Sequence, residues 1–128
     1  MSIVLLLGRI LFSSLFLMSG FGHFKGSKMM AGYAKSKGLP APEFMVVASG
    51  AVEFIGGVLI LLGYQARVGA WLIVLFLIPV TFTMHNFWTQ TDPAQKASER
   101  ASFLKNIALL GAALMIAYFG TGPLSLGN

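Results

Sequence analysis

The sequence contains no cysteine. Disulfide bonds, thiolate metal sites and a dithiol redox relay within this chain are therefore excluded. Charge is also scarce, because only 10% of the residues are charged, whereas soluble domains carry about 25%. Apolar residues make up 56% of the chain, and the mean hydropathy is +0.79. This composition rules out a standard soluble enzyme and a disordered chain, and it indicates a protein embedded in lipid.

Four long apolar runs account for most of the chain. A membrane-spanning helix needs about 20 mostly apolar residues, and such runs lie at about 3–21, 43–63, 68–86 and 103–119. The first run carries its charge inside it rather than before it, so we expect a retained helix and not a signal peptide. Helices are the realistic way to satisfy the backbone in lipid. The predicted fold is an all-α integral membrane four-helix bundle, with residues 1–128 as a single domain.

The distribution of basic residues predicts an orientation. Nine lysines and arginines against four acidic residues give a net charge of +5. Four spans place both termini on one side, and the two longer loops, which hold six lysines and arginines, on the other. The positive-inside rule then places the basic loops in the cytoplasm and both termini outside. We expect a multi-pass protein of the bacterial inner membrane, in contact with lipid and not with nucleic acid.

Two charges lie deep within the predicted spans, Arg9 in the first and Glu53 in the second. An ionisable residue at the bilayer centre costs about 2.5–3.5 kcal/mol on insertion scales and normally faces the bundle interior. From the helical rise, Arg9 lies about 9 Å and Glu53 about 15 Å from the same membrane surface. An arginine side chain spans that difference. We therefore predict a buried Arg9–Glu53 pair, which serves either as a structural strut or as part of a ligand or proton site.

A second group of polar and aromatic residues lies at the loop end of the spans. It comprises His23, His85, Trp88, Lys105 and Asn106. Histidine titrates near neutral pH and aromatic side chains stack on flat rings, so this group is a candidate ligand pocket. The same residue types are also typical of a membrane interface, where histidine and aromatic side chains are favoured and a lysine near a helix end extends to water. The ligands for a metal site are too few, and no constellation of residues indicates a catalytic nucleophile.

A series of motifs follows the same order along the chain. They are Arg9, SGFGHF with a lysine, Tyr33 before GLPAP, VEFIGGVLILLG, Arg67 after a short turn, HNFW, FLKN and the tail GTGPLSLGN. Their order and spacing resemble the DoxX family of small four-span bacterial membrane proteins. The resemblance implies that Arg9, Glu53, His85, Lys105 and Asn106 are matching family positions. It also implies an association with respiratory or detoxifying oxidoreductase systems, because the family takes its name from a subunit of an archaeal quinone-linked oxidoreductase.

Three functions fit these observations. The first is a membrane subunit of an oxidoreductase complex, without catalysis of its own, for which a quinone is a candidate ligand. The second is a transporter of a hydrophobic or weakly acidic compound, indicated by the buried charges and by Pro79 within the third span. Four short spans leave little room for a path, so a transporter would need a homo-oligomer. The third is a structural anchor that holds a soluble partner protein at the basic loops.

Overall fold

A computed structural model describes residues 2–120, 122 and 124–126 of the chain. The regular elements in these residues are all helical: α1 (Ser2–Lys25), α2 (Ser27–Ser36), α3 (Pro42–Leu62), α4 (Ala66–Met84), a 3₁₀ turn (Phe87–Thr89) and α5 (Pro93–Phe119). Of these, α1, α3, α4 and α5 are long and apolar enough to cross a membrane. The predicted all-α membrane bundle is confirmed. Part of the tail GTGPLSLGN lies outside the described residues.

The turn between α3 and α4 is short because two residues adopt left-handed backbone. Gly63 has a φ of 66°, and its amide donates to the carbonyl of Ile60 at 3.1 Å. Gln65, with a φ of 51°, precedes the first residue of α4. Glycine at this position is the usual way to end a helix, because it adopts left-handed backbone without a steric penalty. The two spanning helices are therefore antiparallel neighbours.

Helix α5 begins well before the apolar run that starts at residue 103. The side chain of Asp92 accepts a hydrogen bond from the amide of Gln95 at 2.9 Å, and Pro93 occupies the first helical position. Both features are favoured at a helix N-terminus. As a result, the charged segment that the sequence indicates as loop, including Glu99, is the first part of α5.

The register between α1 and α3 is set by close contacts at small residues. A Cβ atom on Gly20 would lie 2.8 Å from the Cβ of Phe54, so the two backbones nearly touch there. Near the other end of the interface, a Cβ on Gly63 would overlap the guanidinium of Arg9. Small residues allow this approach between membrane helices. The antiparallel register therefore places Glu53 level with Gly20, and Arg9 level with the end of α3.

The bundle is packed differently in its two halves. Towards the termini, a buried apolar cluster that includes Phe16, Ile60, Ile73 and Ala113 fills the space between the spanning helices. Towards the loops, α2 packs on α3 through a separate small cluster centred on Val46. The outward faces of the long helices are apolar and exposed, as expected for surfaces that contact lipid acyl chains. The interior of the loop half holds the polar side chains that line a cavity.

Candidate functional site

A buried glutamate and a histidine form an ion pair inside the bundle. The Nε2 atom of His23 lies 3.1 Å from Oε2 of Glu53, whose side chain is completely buried. The hydroxyl of Ser19 donates a hydrogen bond to the same carboxylate oxygen at 3.2 Å. Ser19 and His23 are four residues apart on α1, so both face α3 from one side of that helix.

The surroundings of His23 determine which ring nitrogen carries a proton. Its Nδ1 lies 2.9 Å from the carbonyl oxygen of Val46. A carbonyl only accepts, so Nδ1 carries a hydrogen and donates it. The hydroxyl of Ser49, 3.2 Å from Nδ1, donates to the same carbonyl at 3.0 Å. The other nitrogen, Nε2, faces Oε2 of Glu53 at hydrogen-bonding distance.

The position of the imidazole depends on a glycine in α3. A Cβ atom added to Gly50 would overlap the Cβ of His23, and it would lie 3.0 Å from Cγ and 3.2 Å from Nδ1 of the ring. Any other residue at this position would push His23 away from α3. Gly50 thus brings the ring close enough to reach both Val46 and Glu53.

A small polar cavity adjoins this pair. It has a volume of about 140 Å³ and lies between α1, α3, α4 and α5. Its polar lining consists of Ser19, His23, Glu53, His85, Lys105 and Asn106. Among these, Asn106 is buried and Lys105 is exposed. The cavity therefore runs between an exposed ammonium group at the loop end and a carboxylate in the interior.

A larger apolar groove lies between α2, α3 and α4. Its volume is about 600 Å³, and its walls include Met30, Ala34, Val52, Pro79 and Met84. Tyr33 and His85 are among the few polar side chains that line it. His23, Phe76, Val80 and His85 line both the groove and the small cavity. These four side chains form a common wall between the apolar space and the polar one.

A charged cluster around Glu99 ties three helices together at the loop end. Oε2 of Glu99 lies 3.5 Å from Nδ1 of His85 and 3.8 Å from Nζ of Lys37. Lys37 also donates a hydrogen bond of 2.6 Å to the side-chain oxygen of Asn86. Burial raises the pKa of the Tyr33 phenol, and the nearby Glu99 carboxylate raises it further. Helix α2 is thereby fastened to α4 and α5 beside the groove.

The family model of DoxX matches residues 4–86 of the chain, which is more than half of it. The chain belongs to the DoxX family. Its relatives include two inner membrane proteins of Escherichia coli (strain K12). YphA is 29% identical over 124 residues, which cover 97% of this chain and 88% of YphA. YqjF is 29% identical over 121 residues, which cover 94% of this chain and 87% of YqjF. No solved structure matches the chain.

The predicted pairing of Arg9 with Glu53 is wrong for this DoxX protein. Arg9 donates through Nη2 to the carbonyl of Leu124, whereas Glu53 pairs with His23. The predicted depths assume that α1 begins and α3 ends at the same membrane surface. The close approach of Gly63 to the Arg9 guanidinium instead places Arg9 at the end of α3. Glu53 lies ten residues earlier in α3, which corresponds to about 15 Å along the axis. Both side chains are nevertheless buried.

Four of the five residues of the predicted pocket line one cavity: His23, His85, Lys105 and Asn106. Trp88 does not line either cavity. Its side chain is 52% exposed and packs edge-on against Phe87 and Phe103, with ring centroids 5.3 Å and 5.7 Å apart. The aromatic side chains at this end pack on one another instead of forming a wall around the polar residues. That the four residues bind a ligand stays a prediction.

Sequence reasoning missed three residues of this DoxX site. They are Ser19, Lys37 and Glu99. Ser19 lies four residues before His23, and this spacing places both on one face of a helix. Asp92 and Pro93 are typical of a helix N-terminus and therefore indicate that Glu99 lies on a helix. No local signal brings Lys37 to Glu99, because that contact depends on how α2 folds over the bundle. Within the described part of the chain, no three His, Asp or Glu side chains lie close enough to hold a metal ion.

Proposed function

We propose that this DoxX protein is a membrane subunit of an oxidoreductase system, without catalysis of its own, that binds a quinone in the apolar groove. The observation that carries the proposal is the groove of about 600 Å³, with mostly apolar walls and with Tyr33 and His85 among its few polar groups. Small-molecule sites typically measure about 300–1,000 Å³ and combine apolar walls with a few polar groups. A quinone matches, because its ring and tail are apolar and its carbonyl oxygens accept hydrogen bonds.

His85 is the group best suited to hold a quinone oxygen. His23 also lines the groove, but both of its ring nitrogens are engaged. The hydroxyls of Ser49 and Thr83 donate to helix carbonyls, at 3.0 Å and 2.6 Å. Nδ1 of His85 faces Glu99, so Nε2 is the ring nitrogen left to contact a ligand, and it donates to a quinone oxygen when the imidazole is protonated. We therefore assign hydrogen bonding of the ring to His85, while Tyr33, whose phenol faces the Glu99 carboxylate, forms part of the groove wall.

A bound quinone would supply reversible redox chemistry, while the groove residues hold the ring and keep water away from it. The chain has no cysteine with which to relay electrons itself. The proposal therefore includes a partner oxidoreductase that meets the protein at the membrane surface. The association of the DoxX family with oxidoreductase systems, which the sequence resemblance implies, supports this assignment.

We further propose that the loop side faces the cytoplasm. The exposed lysines of α2, Lys28 and Lys35, lie on this side together with Lys96 and Arg100 of α5. The turn at the opposite end contributes one cation, Arg67. This asymmetry is the one that the positive-inside rule uses. A cytoplasmic partner would thus meet the basic surface next to the end of the groove.

The test is quinone binding to the purified protein in lipid nanodiscs. We expect a short-chain ubiquinone to bind saturably. Loss of one hydrogen bond to the ligand corresponds to about 1.4 kcal/mol, so His85→Ala should weaken binding about tenfold. Trp88→Ala, which changes a side chain outside the groove, should leave the affinity unchanged.

A pair of neighbouring substitutions separates binding in the groove from partition into lipid. Ala48 lines the groove, and the next residue back along α3, Val47, lies outside its wall and is 38% exposed. Ala48→Phe should fill the groove and abolish saturable binding, whereas Val47→Phe should not. Absence of saturable binding to the unmodified protein, or equal binding by both variants, would refute the proposal.

A further inference from the structure

We propose that the small polar cavity is a water-filled half-channel from the loop side of the membrane, and that Glu53 and His23 form a proton-loading site at its inner end. The His23–Glu53 pair is not among the groups assigned to the quinone, although His85 lines both spaces. The inference does not depend on what binds in the apolar groove. Three observations carry it: the contact between Nε2 of His23 and Oε2 of Glu53, the lining of the cavity and the apolar closure of its inner end.

The pair can exchange protons without any other change of structure. Nδ1 of His23 is fixed as a donor to Val46, so one proton is shared between Nε2 and Oε2 of Glu53. Uptake of one proton from water gives an imidazolium beside a neutral carboxylic acid, and release restores the shared state. Only N–H and O–H bonds form and break, and no electron moves. The two side chains lie 3.1 Å apart, so they hold the proton together.

The cavity has the size and the polar lining that ordered water requires. A volume of about 140 Å³ accommodates several water molecules, each of which needs two to four polar partners. Ser19, His85, Lys105 and Asn106 supply donors and acceptors around this space. A chain of such waters would connect the carboxylate of Glu53 with the loop end.

The direction of access follows from the two ends of the cavity. His85 comes directly after the last residue of α4, and Lys105 is exposed, so this end faces the loops. At the inner end, the wall is formed by Phe16 and Leu77, which are only 2% and 1% exposed and belong to the apolar core of the terminal half. Water therefore has a route from one side of the membrane only.

The charged environment of the pair is contributed by four helices. The titratable or charged groups that line the cavity are His23 from α1, Glu53 from α3, His85 directly after α4 and Lys105 from α5. Helix α2 contributes no residue to the cavity wall. Lys105 and His85 therefore stand between the loop side and the pair, and Glu53 is the acidic group among the lining residues.

The cysteine-free sequence allows a direct test of water access with single-cysteine variants. Ser19→Cys places a thiol in the cavity wall, and Ser13→Cys places one on the same helix beyond Phe16, where the side chain is completely buried. In sealed vesicles, a positively charged methanethiosulfonate should modify Ser19→Cys at least about tenfold faster than Ser13→Cys, because thiol reactivity follows exposure. Lys96→Cys and Tyr64→Cys mark the loop side and the opposite side.

We expect Ser19→Cys to be modified only when the reagent is added on the side from which it modifies Lys96→Cys. Three results would overturn the half-channel: no reaction from either side, equal reaction from both sides, or reaction with only a neutral, membrane-permeant reagent. The last would show entry from the lipid between α1 and α5.

Infrared difference spectra between acidic and alkaline buffer test proton loading at the pair. We expect one carboxylic acid band that is lost in Glu53→Gln and kept in Glu99→Gln. A difference spectrum that is the same in Glu53→Gln and in the unmodified protein would overturn the assignment of the loading site. This result is independent of quinone binding, so failure of one proposal leaves the other testable.

Discussion

A single imidazole connects helix packing with electrostatics in this protein. Gly50 gives the ring of His23 its place against α3, Val46 fixes its tautomer, and Glu53 faces its second nitrogen. Removing one member of a buried ion pair is destabilising by about 3–5 kcal/mol, because the other is left buried without compensation. The pair therefore contributes to the structure of the bundle as well as to its chemistry.

A double-mutant cycle measures this contact. For His23→Ala, Glu53→Ala and the double variant, unfolding in detergent should give a coupling energy of about 0.5–3 kcal/mol. A control cycle combines Arg9→Ala with Glu53→Ala in the same way. Because Arg9 lies about 15 Å from Glu53 along the helix axis, its coupling should stay below about 0.5 kcal/mol. Stronger coupling of Glu53 to Arg9 than to His23 would contradict the register of α1 and α3.

The sequence identifies the buried charged residues but not their partners. Arg9 and Glu53 stand out because charge within an apolar run is expensive. Their partners depend on the axial register of two helices, and that register is set by contacts such as Gly20 with Phe54. A shift of one helical turn exchanges one set of partners for another. Hydrophobicity alone does not specify such a shift, because the apolar runs remain in the membrane in either register.

At the scale of elements, α2 is a short helix held over the groove by a few polar contacts. Its last turns carry Tyr33, which lines the groove, and Lys37 follows directly after the helix. The Lys37 side chain is only 9% exposed where it meets Glu99 and Asn86. Composition does not predict that this segment folds back towards α4 and α5.

We expect Lys37→Met to loosen α2. A hydrogen bond to a charged group contributes about 1.5–3 kcal/mol, so local opening of α2 should increase about tenfold or more. Limited proteolysis with trypsin, followed at Lys28 and Lys35, measures this opening. The control is Lys96→Met, which removes the same charge from an exposed position on α5. Equal cleavage rates in the two variants would show that the contacts of Lys37 do not hold the helix.

At the scale of the whole molecule, the bundle has a packed half and a hollow half. The apolar core fills the half towards the termini, while the groove, the small cavity and the Glu99 cluster all lie towards the loops. The four spans and their order are predictable from hydropathy, since each must be about 20 residues long. The cavities are not predictable from hydropathy, because they arise where side chains from separate helices fail to fill the space between them.

The proposed orientation places this hollow half towards the cytoplasm. In intact cells, a membrane-impermeant maleimide should therefore label Tyr64→Cys, in the turn between α3 and α4, and should not label Lys96→Cys. Breaking the cells should expose Lys96→Cys to the reagent. The cysteine-free chain provides the background for both variants. The reverse pattern would place the basic loops outside and would require a partner on that side.

The overlap between a methyl group at position 50 and the Cβ of His23 reaches beyond this one protein. A homologous chain that carries a side chain at the place of Gly50 cannot keep an imidazole at the place of His23 without moving a helix. The two positions must then change together during evolution. An alignment of DoxX sequences could be sorted by this pair alone into chains that retain the histidine–glutamate couple and chains that have lost it.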